Sequence, residues 1–494
     1  MPSATRRVAV IGAGISGVAA AAHLRKENVD VVVYERSSAA GGVWLYDERK
    51  PLEPAYPAAL PSQAGGTFDQ NTDKDVLYEQ LLHAPPGPCY IGLKNNVGTR
   101  MLETTLNRFP EGTEDFVTHK ELNDYIQDTS VKTGVHDITQ YDTQVRNVTK
   151  KNGKWLVEAI TLRVDKAGIA SRHEFVSDFD AVVVASGHYH AAKVPDTPGL
   201  SDWKRAWPDR IAHSKAYRTP EHYRGQNVLL VGGSVSATDI ARELGPVADK
   251  IYQSHRNGTF DLPASLLPEQ IIRVDEVTSY NDAPSTPSSI PLPATSPIPA
   301  TLRLKSGHQL CDIHHVILCT GYQMTLPFLA QHHADTLPAA HAPDTVLVTD
   351  GTQFHNLHKD IFYIPDPSLA FVGVPFFTAT FSLFDFQAQV VAKVLAGQVR
   401  LPARDAMRAE YVERVRRKGV GKAFHSLRDQ EHEYVDELLE WVNADLVESG
   451  AARVSGHTET WHRAREEQVA RMKAMFEAPG VVQRELEVTC GVTV

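Results

Sequence analysis

Apolar and polar positions alternate in blocks at the start of the chain. An apolar run at residues 8–11 leads into the glycine-rich turn GAGISG at residues 12–17, an alanine-rich segment follows, and a second apolar run ends at Glu35. Short runs of β-branched residues predict buried strands, and the longer segment between them predicts a helix. The pattern therefore predicts a strand, a tight turn, a helix and a second strand.

The spacing of the glycines in this turn is typical of a dinucleotide site. Gly12 permits the turn, Gly14 lets a pyrophosphate approach the backbone, and Gly17 lets the helix pack closely on the strand. The start of the helix offers unpaired N–H groups and the positive end of its dipole to the phosphates. Glu35, at the end of the second strand, is placed to accept hydrogen bonds from an adenosine ribose. A βαβ turn without a ligand is the alternative.

A second stretch, residues 226–244, repeats this arrangement with the sequence QNVLLVGGSVSATDIAREL. Gly232 keeps the first glycine, whereas Ser234 and a small alanine replace the second and third. Ser234 and Ser236 can donate hydrogen bonds to a phosphate, so a second nucleotide is predicted. Arg256 follows the next strand, where an NAD site has an acid, and its charge suits the 2′-phosphate of NADPH. A degenerate structural unit and a solvated arginine are the alternatives.

The remaining pattern predicts further elements. Residues 118–128 read as a capped helix, and residues 142–185 alternate apolar and polar positions, as antiparallel strands do. Residues 274–300 are rich in proline, serine and threonine, which predicts a flexible loop without a packed core. A helix is predicted at residues 387–395. The charged tail from residue 403 is helical by its period and is predicted to be a packing extension instead of a site.

Composition narrows the classes of protein. The 494 residues suffice for two or three domains, and the net charge of -10 argues against a nucleic-acid partner. The four cysteines lack the spacing of a metal site or of a redox-active pair, which argues against metal binding and against the dithiol-disulfide reductases. They indicate a reduced, cytoplasmic protein. Neither a secretory segment nor a membrane span is predicted.

Several short motifs follow one another along residues 8–402. They are GAGISG at 12–17, GGVW at 41–44, LKNN at 93–96, FPEGT at 109–113, SGHY at 186–189, HSKAY at 213–217, GGSVSA at 232–237, CTGY at 319–322 and FDFQAQ at 384–389. In content and order they resemble the flavin-containing monooxygenases, particularly the soluble microbial and fungal members. One departure is the segment at residues 207–212, which lacks the glycine that the family carries there.

The resemblance implies an α/β fold. Two Rossmann-like dinucleotide-binding domains, for FAD and NADPH, would be combined, the smaller inserted in the larger, with a helical C-terminal extension. Residues 1–190 and 326–402 would form the two parts of the FAD domain, residues 191–325 the inserted NADPH domain, and residues 403–494 the extension. The SGHY and CTGY motifs would be the crossings between the two domains.

The resemblance also implies the residues that contact each cofactor. Those for FAD are Gly12, Gly14, Ser16, Gly17, Glu35, Arg36, Gly42 and Trp44, with Asn96 and Gln387 beside the flavin ring and the Val145 backbone under the adenine. Those for NADPH are Ser214, Gly232, Ser234, Ser236, Arg256 and Asn257. No metal is implied.

The implied activity is that of an oxidoreductase. NADPH would reduce the flavin, O₂ would add to it, and the flavin hydroperoxide would oxygenate a soft nucleophilic nitrogen or sulfur of a small molecule. Asn96 is expected to be the catalytic amide, although Asn95 and Asn96 also read as a polar turn. Related Baeyer–Villiger enzymes carry tryptophan at the position of Tyr217 and usually lack a serine at the position of Ser214. A Baeyer–Villiger oxygenase of ketones and a non-oxygenating flavoprotein that oxidises NADPH are the alternatives.

The expected partners are an amine or sulfide substrate and O₂, and a homodimer is left open. Loops at residues 58–72 and 376–384 are expected to face the substrate. The second loop holds an aromatic cluster that either walls an apolar pocket or belongs to the core. Its members are Phe376, Phe377, Phe381 and Phe384.

Overall fold

The structure is a computed structural model that describes residues 7–64, 75–285 and 292–477. Its α-helices are α1 (Ile15–Lys26), α2 (Val76–His83), α3 (Thr99–Leu102), α4 (His119–Lys132), α5 (Leu200–Ala206), α6 (Val235–Leu244), α7 (Thr380–Leu395), α8 (Arg404–Lys418), α9 (Glu431–Glu448) and α10 (Glu459–Glu477). Its strands are β1 (Arg7–Ile11), β2 (Asp30–Tyr34), β3 (Thr139–Gln140), β4 (Thr143–Lys151), β5 (Lys154–Val164), β6 (Ala170–Phe179), β7 (Ala181–Val184), β8 (Ala191–Ala192), β9 (Ile211–His213), β10 (Asn227–Val231), β11 (Lys250–Ser254), β12 (Ile271–Val274), β13 (Val277–Tyr280), β14 (Leu302–Leu304), β15 (Gln309–Leu310), β16 (His315–Leu318), β17 (Tyr322–Gln323), β18 (Leu357–His358), β19 (Phe362–Tyr363) and β20 (Leu369–Phe371).

The first apolar blocks form the centre of a seven-stranded sheet with the strand order β18-β19-β20-β7-β1-β2-β3. β1 pairs in parallel with β2 and β7, and residues 8–10 of β1 are fully buried. Parallel strands of this kind are covered on both faces, so they read as continuous apolar runs in the sequence. The predicted succession of strand, turn, helix and strand is confirmed.

The second glycine-rich stretch lies in another sheet, with the order β12-β11-β10-β16-β9 and parallel pairing throughout. Its strands fall between residues 211 and 318, whereas the first sheet takes strands from before and after this segment. The protein therefore has two Rossmann-like units, which we call the first and the second unit, and the second is inserted in the first. We propose residues 191–325 as the limits of the inserted unit.

The proline-rich stretch at residues 274–300 differs from its prediction as a loop without a core. β13 pairs in the antiparallel direction with β14, and Val277, Tyr280 and Ile298 are buried in the core of the second unit. The prolines interrupt the regular backbone hydrogen bonds, but the apolar side chains between them still pack. Residues 286–291 of this stretch lie outside the described residues.

Other predicted elements are confirmed with shifted ends. α4 begins directly after Thr118, whose backbone N–H donates to Glu121 Oε2 over 2.9 Å. β4, β5 and β6 form the predicted antiparallel sheet. α7 begins at Thr380, well before residue 387, because its first turns are buried on nearly all sides and so carry no clear helical period.

A buried charge cluster joins the C-terminal extension to the first unit. Asp360 is fully buried and accepts hydrogen bonds from Arg414 Nη1 at 2.7 Å and from His425 Nδ1 at 2.8 Å. Burial alone would raise the pKa of the Asp360 carboxyl, but the charge of Arg414 and the contact with His425 outweigh it and hold the pKa well below its usual range. Next to this cluster, Tyr434 of α9 donates to the Lys359 carbonyl over 2.6 Å.

Among the described helices, none combines the length and apolarity that a membrane span needs.

We expect Arg414→Met to lower the free energy of unfolding by about 3 kcal/mol, because it leaves the Asp360 carboxylate buried without its guanidinium. Urea denaturation followed by intrinsic fluorescence measures the change. Since the folded-state pKa of Asp360 is depressed, the pair contributes its full stability above the pKa of an unfolded aspartate, ~4, and this contribution is lost as the pH falls from there through the folded-state pKa. The variant should therefore lose less stability than the wild type on acidification.

Arg416→Met is the matched control, since Arg416 lies on the same helix and, within the described residues, its guanidinium pairs only with Glu413 at the surface. An exposed pair of this kind contributes little, so no measurable change is expected. Equal destabilisation by the two substitutions would contradict the importance of the buried pair.

Candidate functional site

One cavity of about 2300 Å³ lies between the two units and is lined by both glycine-rich turns. Most of the predicted site residues meet in its wall. Those are Gly12, Gly14, Ser16, Glu35, Arg36, Gly42, Trp44, Asn96, Val145, Gly232, Ser234, Ser236 and Arg256.

The first turn is closed by backbone packing that only glycine permits. The N–H of Gly12 donates to the carbonyl of Tyr34 over 2.8 Å, and its φ is +106°. A Cβ on Gly12 would lie 2.6 Å from the carbonyl oxygen of Ala185, at the end of β7. A Cβ on Gly17 would overlap the carbonyl oxygen of Gly12, so α1 could not pack against the turn. The glycines thus bring the start of α1 to the cavity.

The start of α1 is open toward the cavity. Its N-cap is Gly14, no side chain caps the helix, and no acidic residue lies in its first turn. Gly42 faces Gly14 so closely that a Cβ on Gly42 would lie 2.9 Å from the Gly14 Cα. A pyrophosphate binds where N–H groups are free, the helix dipole is positive and no side chain blocks its approach to the backbone. The first turn therefore fits the phosphates of a dinucleotide.

Glu35 and Arg36 lie at the end of β2 as predicted. The Glu35 carboxylate is buried and accepts hydrogen bonds from the N–H groups of Ala13 at 2.7 Å and Ser37 at 2.8 Å. Each carboxylate oxygen keeps a further lone pair for a ribose hydroxyl. Arg36 Nη2 lies 2.6 Å from His190 Nδ1, and burial lowers the pKa of both side chains. His190 is therefore neutral and holds the guanidinium at the cavity wall.

The second turn repeats the geometry of the first. The N–H of Gly232 donates to the carbonyl of Ser254 over 2.8 Å, and a Cβ on Gly232 would overlap the carbonyl oxygen of Cys319. Ala237 takes the place of the third glycine and is fully buried. Ser234 is the N-cap of α6, which has neither a side-chain cap nor an acidic residue in its first turn. This turn also fits a pyrophosphate.

Arg256 is free for a ligand beside this turn. Its side chain is 77% exposed, and the nearest acid is Glu276, whose carboxylate lies 3.9 Å from Arg256 Nε. Asp261 does not pair with the guanidinium; it accepts hydrogen bonds from the backbone N–H groups of Arg256 at 3.2 Å and Gly258 at 3.0 Å. The turn is thus rigid while its cation stays available.

Four predicted residues do not line the cavity. Gly17 and Asn257 shape the backbone of their turns, Asn257 in a left-handed conformation with φ +54°. Ser214 is buried behind the wall, where its hydroxyl contacts the side chains of Cys319 and Tyr322. Gln387 is fully buried and lies behind Gly373, a cavity residue. Spacing along the chain could not reveal which residues lie one layer behind the wall.

Gln387 supports the wall through hydrogen bonds at both ends of its amide. Its Oε1 accepts from the Gly373 N–H at 3.0 Å, and its Nε2 donates to the Tyr434 hydroxyl at 2.8 Å. Because Gly373 has a φ of +96° and packs against the Ser16 side chain, the strand end next to α1 depends on this contact. Gln387 therefore supports the wall without lining the cavity, and its predicted contact with the flavin ring stays a prediction.

His213 sets the turn that follows β9. Its Nδ1 accepts from the Lys215 N–H at 3.1 Å, so its Nε2 carries the proton and donates to the Gly321 carbonyl at 3.0 Å. Burial lowers the pKa of His213 to about 4, which agrees with this neutral tautomer. His213 is a structural residue and ties the HSKAY segment to the CTGY crossing.

The two neighbouring asparagines at residues 95 and 96 have different roles. Asn95 is buried; its Nδ2 donates to the carbonyls of Val97 at 2.7 Å and Asp115 at 2.6 Å, and its Oδ1 accepts from the Val117 N–H at 2.7 Å. Asn96 is exposed in the cavity wall and has no hydrogen-bond partner among the described residues. Asn95 therefore builds the turn that presents Asn96.

Sequence reasoning missed the contribution of the C-terminal extension to the cavity. The tail is not only a packing extension, because α10 contributes side chains to the cavity wall. Its N-terminal half packs Trp461 and Ala464 against Met101 and Ala379. Cavity-lining side chains of this helix are Arg465, Gln468, Val469, Arg471, Met472, Lys473, Met475 and Phe476. The signal was weak: apolar residues such as Val469 and Met472 recur on an otherwise charged helix and remain exposed.

The aromatic cluster of residues 376–384 contributes to the wall. Phe376, Phe377, Phe381 and Phe384 all line the cavity, although Phe381 and Phe384 are also buried in the core. Phe377 stacks on Phe260 of the second unit with ring centroids 5.5 Å apart. Of the other predicted loop, residues 62–64 line the cavity and residues 65–72 lie outside the described residues. Across the described part of the chain, no group of three potential metal ligands comes together.

Comparison with known proteins agrees with this geometry. The family model described as flavin-binding monooxygenase-like matches residues 87–266, and the model described as NAD(P)-binding Rossmann-like domain matches residues 10–75. The flavin-containing monooxygenase ustF2 of Aspergillus flavus is 47% identical over 488 residues, covering 94% of this chain and 97% of its own. The chain belongs to the flavin-containing monooxygenase family.

A second relative, the flavin-containing monooxygenase ustF1 of the same species, is 39% identical over 94% of this chain and 89% of its own. FAD and NADPH are the cofactors of the monooxygenase, and the two cradles described above fit them. Among solved structures, the S-allyl-L-cysteine S-oxygenase of Allium sativum has a TM-score of 0.70 at 24% identity, covering 96% of this chain and 95% of its own. This likeness shows the common fold.

Asn95→Ala is expected to lower the free energy of unfolding of the monooxygenase by about 2 kcal/mol, because it leaves buried backbone groups without partners. Asn96→Ala removes no contact with the described residues and should leave the stability unchanged. Thermal or urea denaturation of the two variants measures the difference. Equal destabilisation would show that both asparagines only hold the turn.

Proposed function

We propose that the protein is an NADPH- and O₂-dependent monooxygenase that oxygenates a nitrogen or sulfur atom of a small molecule, with FAD on the first unit and NADPH on the second. The observation that carries the proposal is the opening of two phosphate cradles onto one cavity. The first cradle has the acid Glu35, and the second has the exposed cation Arg256, whose ion pair with Glu276 is long, at 3.9 Å. An acid suits an unphosphorylated ribose, and an arginine suits a 2′-phosphate.

The chain contributes binding and exclusion of water rather than acid–base chemistry. FAD, when bound, supplies the redox chemistry that transfers electrons from NADPH to O₂. Gly12, Gly14 and the start of α1 would hold its pyrophosphate, and the backbone at Val145 would contact its adenine. The phenylalanines of residues 376–384 keep water from the substrate side of the cavity.

Asn96 is proposed as the polar group of the reaction chamber. Its amide is exposed in the cavity wall, is unpartnered among the described residues, and is placed by the hydrogen bonds of Asn95. An amide can both donate and accept a hydrogen bond without changing its charge. It can therefore hold the reacting group or the nicotinamide end without moving a proton.

Two observations favour nitrogen or sulfur over a ketone. Tyr217 stands where the resembling Baeyer–Villiger enzymes have tryptophan, and its buried hydroxyl donates to Glu243 over 2.8 Å. The chain also has Ser214, at a position where those enzymes usually lack a serine. A cyclohexanone monooxygenase structure also matches, but with a TM-score of 0.53 at 13% identity this likeness concerns the fold alone.

Purified protein loaded with FAD should consume NADPH and O₂ and convert an amine to an N-oxygenated product or a sulfide to a sulfoxide. A cyclic ketone should give no lactone. Products are measured by mass spectrometry against NADPH consumed. Lactone from the ketone would favour the Baeyer–Villiger alternative, and hydrogen peroxide as the only product would favour a non-oxygenating flavoprotein.

Asn96→Ala and Asn96→Asp should keep FAD but reduce product formation roughly tenfold or more, with a matching rise in hydrogen peroxide per NADPH. The reason is that the polar group that holds the reacting centre is lost or becomes charged. Lys94→Ala is the control, because Lys94 lies in the same turn, is exposed and does not line the cavity. An unchanged product yield would remove Asn96 from the mechanism.

A further inference from the structure

Positive side chains from three parts of the chain converge on the wall beside the second turn. Lys193 follows β8, Arg256 follows β11, and Lys422 belongs to the extension after α8. All three line the cavity and are exposed in it. Lys422 was not among the predicted NADPH residues, because it lies far from the second unit in the sequence.

The position of Lys422 is fixed by its surroundings. The preceding residue, Gly421, has a φ of +97° and donates its N–H to the side chain of Gln353, which is fully buried. Lys422 Nζ lies 5.1 Å above the ring of Phe260, on the loop that follows Arg256. The same Nζ lies 3.7 Å from the position that a Cβ on Gly321 would take, in the CTGY crossing. The extension thus carries a cation to the mouth of the second cradle.

These cations lack matching acids. Neither Lys193 nor Lys422 forms an ion pair among the described residues, and Arg256 has only the long contact with Glu276. Asp261 is the nearby carboxylate, and its Oδ2 already accepts two backbone hydrogen bonds. Desolvation, and then the positive charges of Lys193 and Arg256, lower the pKa of Lys422. An anion bound between them would relieve this repulsion.

The anion is identified by its place in the second unit. The start of α6 takes the pyrophosphate, and the end of β11 is where the adenosine ribose lies in such units. We propose that Lys422 is a second ligand of the 2′-phosphate of NADPH, opposite Arg256, so that the extension contributes to the choice of NADPH over NADH. The proposal rests on the placement of NADPH on the second unit but not on the identity of the oxygenated substrate.

Direct titration of the FAD-loaded protein with NADP⁺, NAD⁺ and 2′,5′-ADP tests this role. Lys422→Gln should weaken NADP⁺ and 2′,5′-ADP about tenfold, the effect of losing one charge-assisted contact, and should leave NAD⁺ within twofold. Lys422→Arg should restore most of the affinity. FAD content and thermal denaturation establish that each variant is folded.

Arg417→Gln is the charge-matched control, because Arg417 is exposed on α8 and does not line the cavity. Three results would overturn the role of Lys422. They are an equal loss of affinity in this control, an equal loss of affinity for NAD⁺ and NADP⁺, and no loss of affinity in Lys422→Gln.

Arg256→Gln distinguishes the role of Lys422 from the placement of NADPH on the second unit. If it weakens NADP⁺ while Lys422→Gln does not, only the inference about Lys422 fails. If neither does, the placement of NADPH on the second unit fails as well.

Discussion

A side chain on Gly12 would strike the carbonyl of Ala185, and a side chain on Gly232 would strike the carbonyl of Cys319. In both units the end of a neighbouring parallel strand lies directly against the first glycine of the turn. Because of this close approach, the next helix begins at the strand ends, and the first N–H groups of that helix face the cavity. The same steric constraint, used twice, produces the two phosphate cradles on which the rest of the site depends.

The two cradles differ in the charged side chains that lie next to their turns. At the first, Glu35 is buried and accepts hydrogen bonds from two backbone N–H groups. At the second, Asp261 holds the backbone, while the Arg256 guanidinium pairs among the described residues only with Glu276, at 3.9 Å. Tyr34 accepts from the first glycine of one unit and Ser254 from that of the other. Glu35 directly follows Tyr34, whereas Arg256 is the second residue after Ser254, so the acid and the arginine come from adjacent positions of the two units.

The C-terminal extension is coupled to this scaffold through buried polar contacts. Asp360 binds Arg414 and His425, and Tyr434 connects the neighbouring carbonyl of Lys359 to Gln387. Gln387 in turn holds Gly373 against α1. Because these groups are buried, each depends on its partners, and loss of one leaves another unsatisfied. The extension therefore supports the first cradle while α10 and Lys422 reach the cavity between the units.

The sequence by itself determined the two βαβ units, the glycines of their turns, and the acid and the arginine that follow their second strands. Those features are local, since steric limits on the backbone and the length of a strand place them within about 30 residues of one another. Only the tertiary structure decided that Gln387 and Ser214 lie behind the cavity wall, that Asn95 supports Asn96, and that residues 274–300 contribute to a core. It also brought α10 and Lys422 to the cavity. Contacts of this kind join segments far apart in the chain, so no periodicity or spacing reports them.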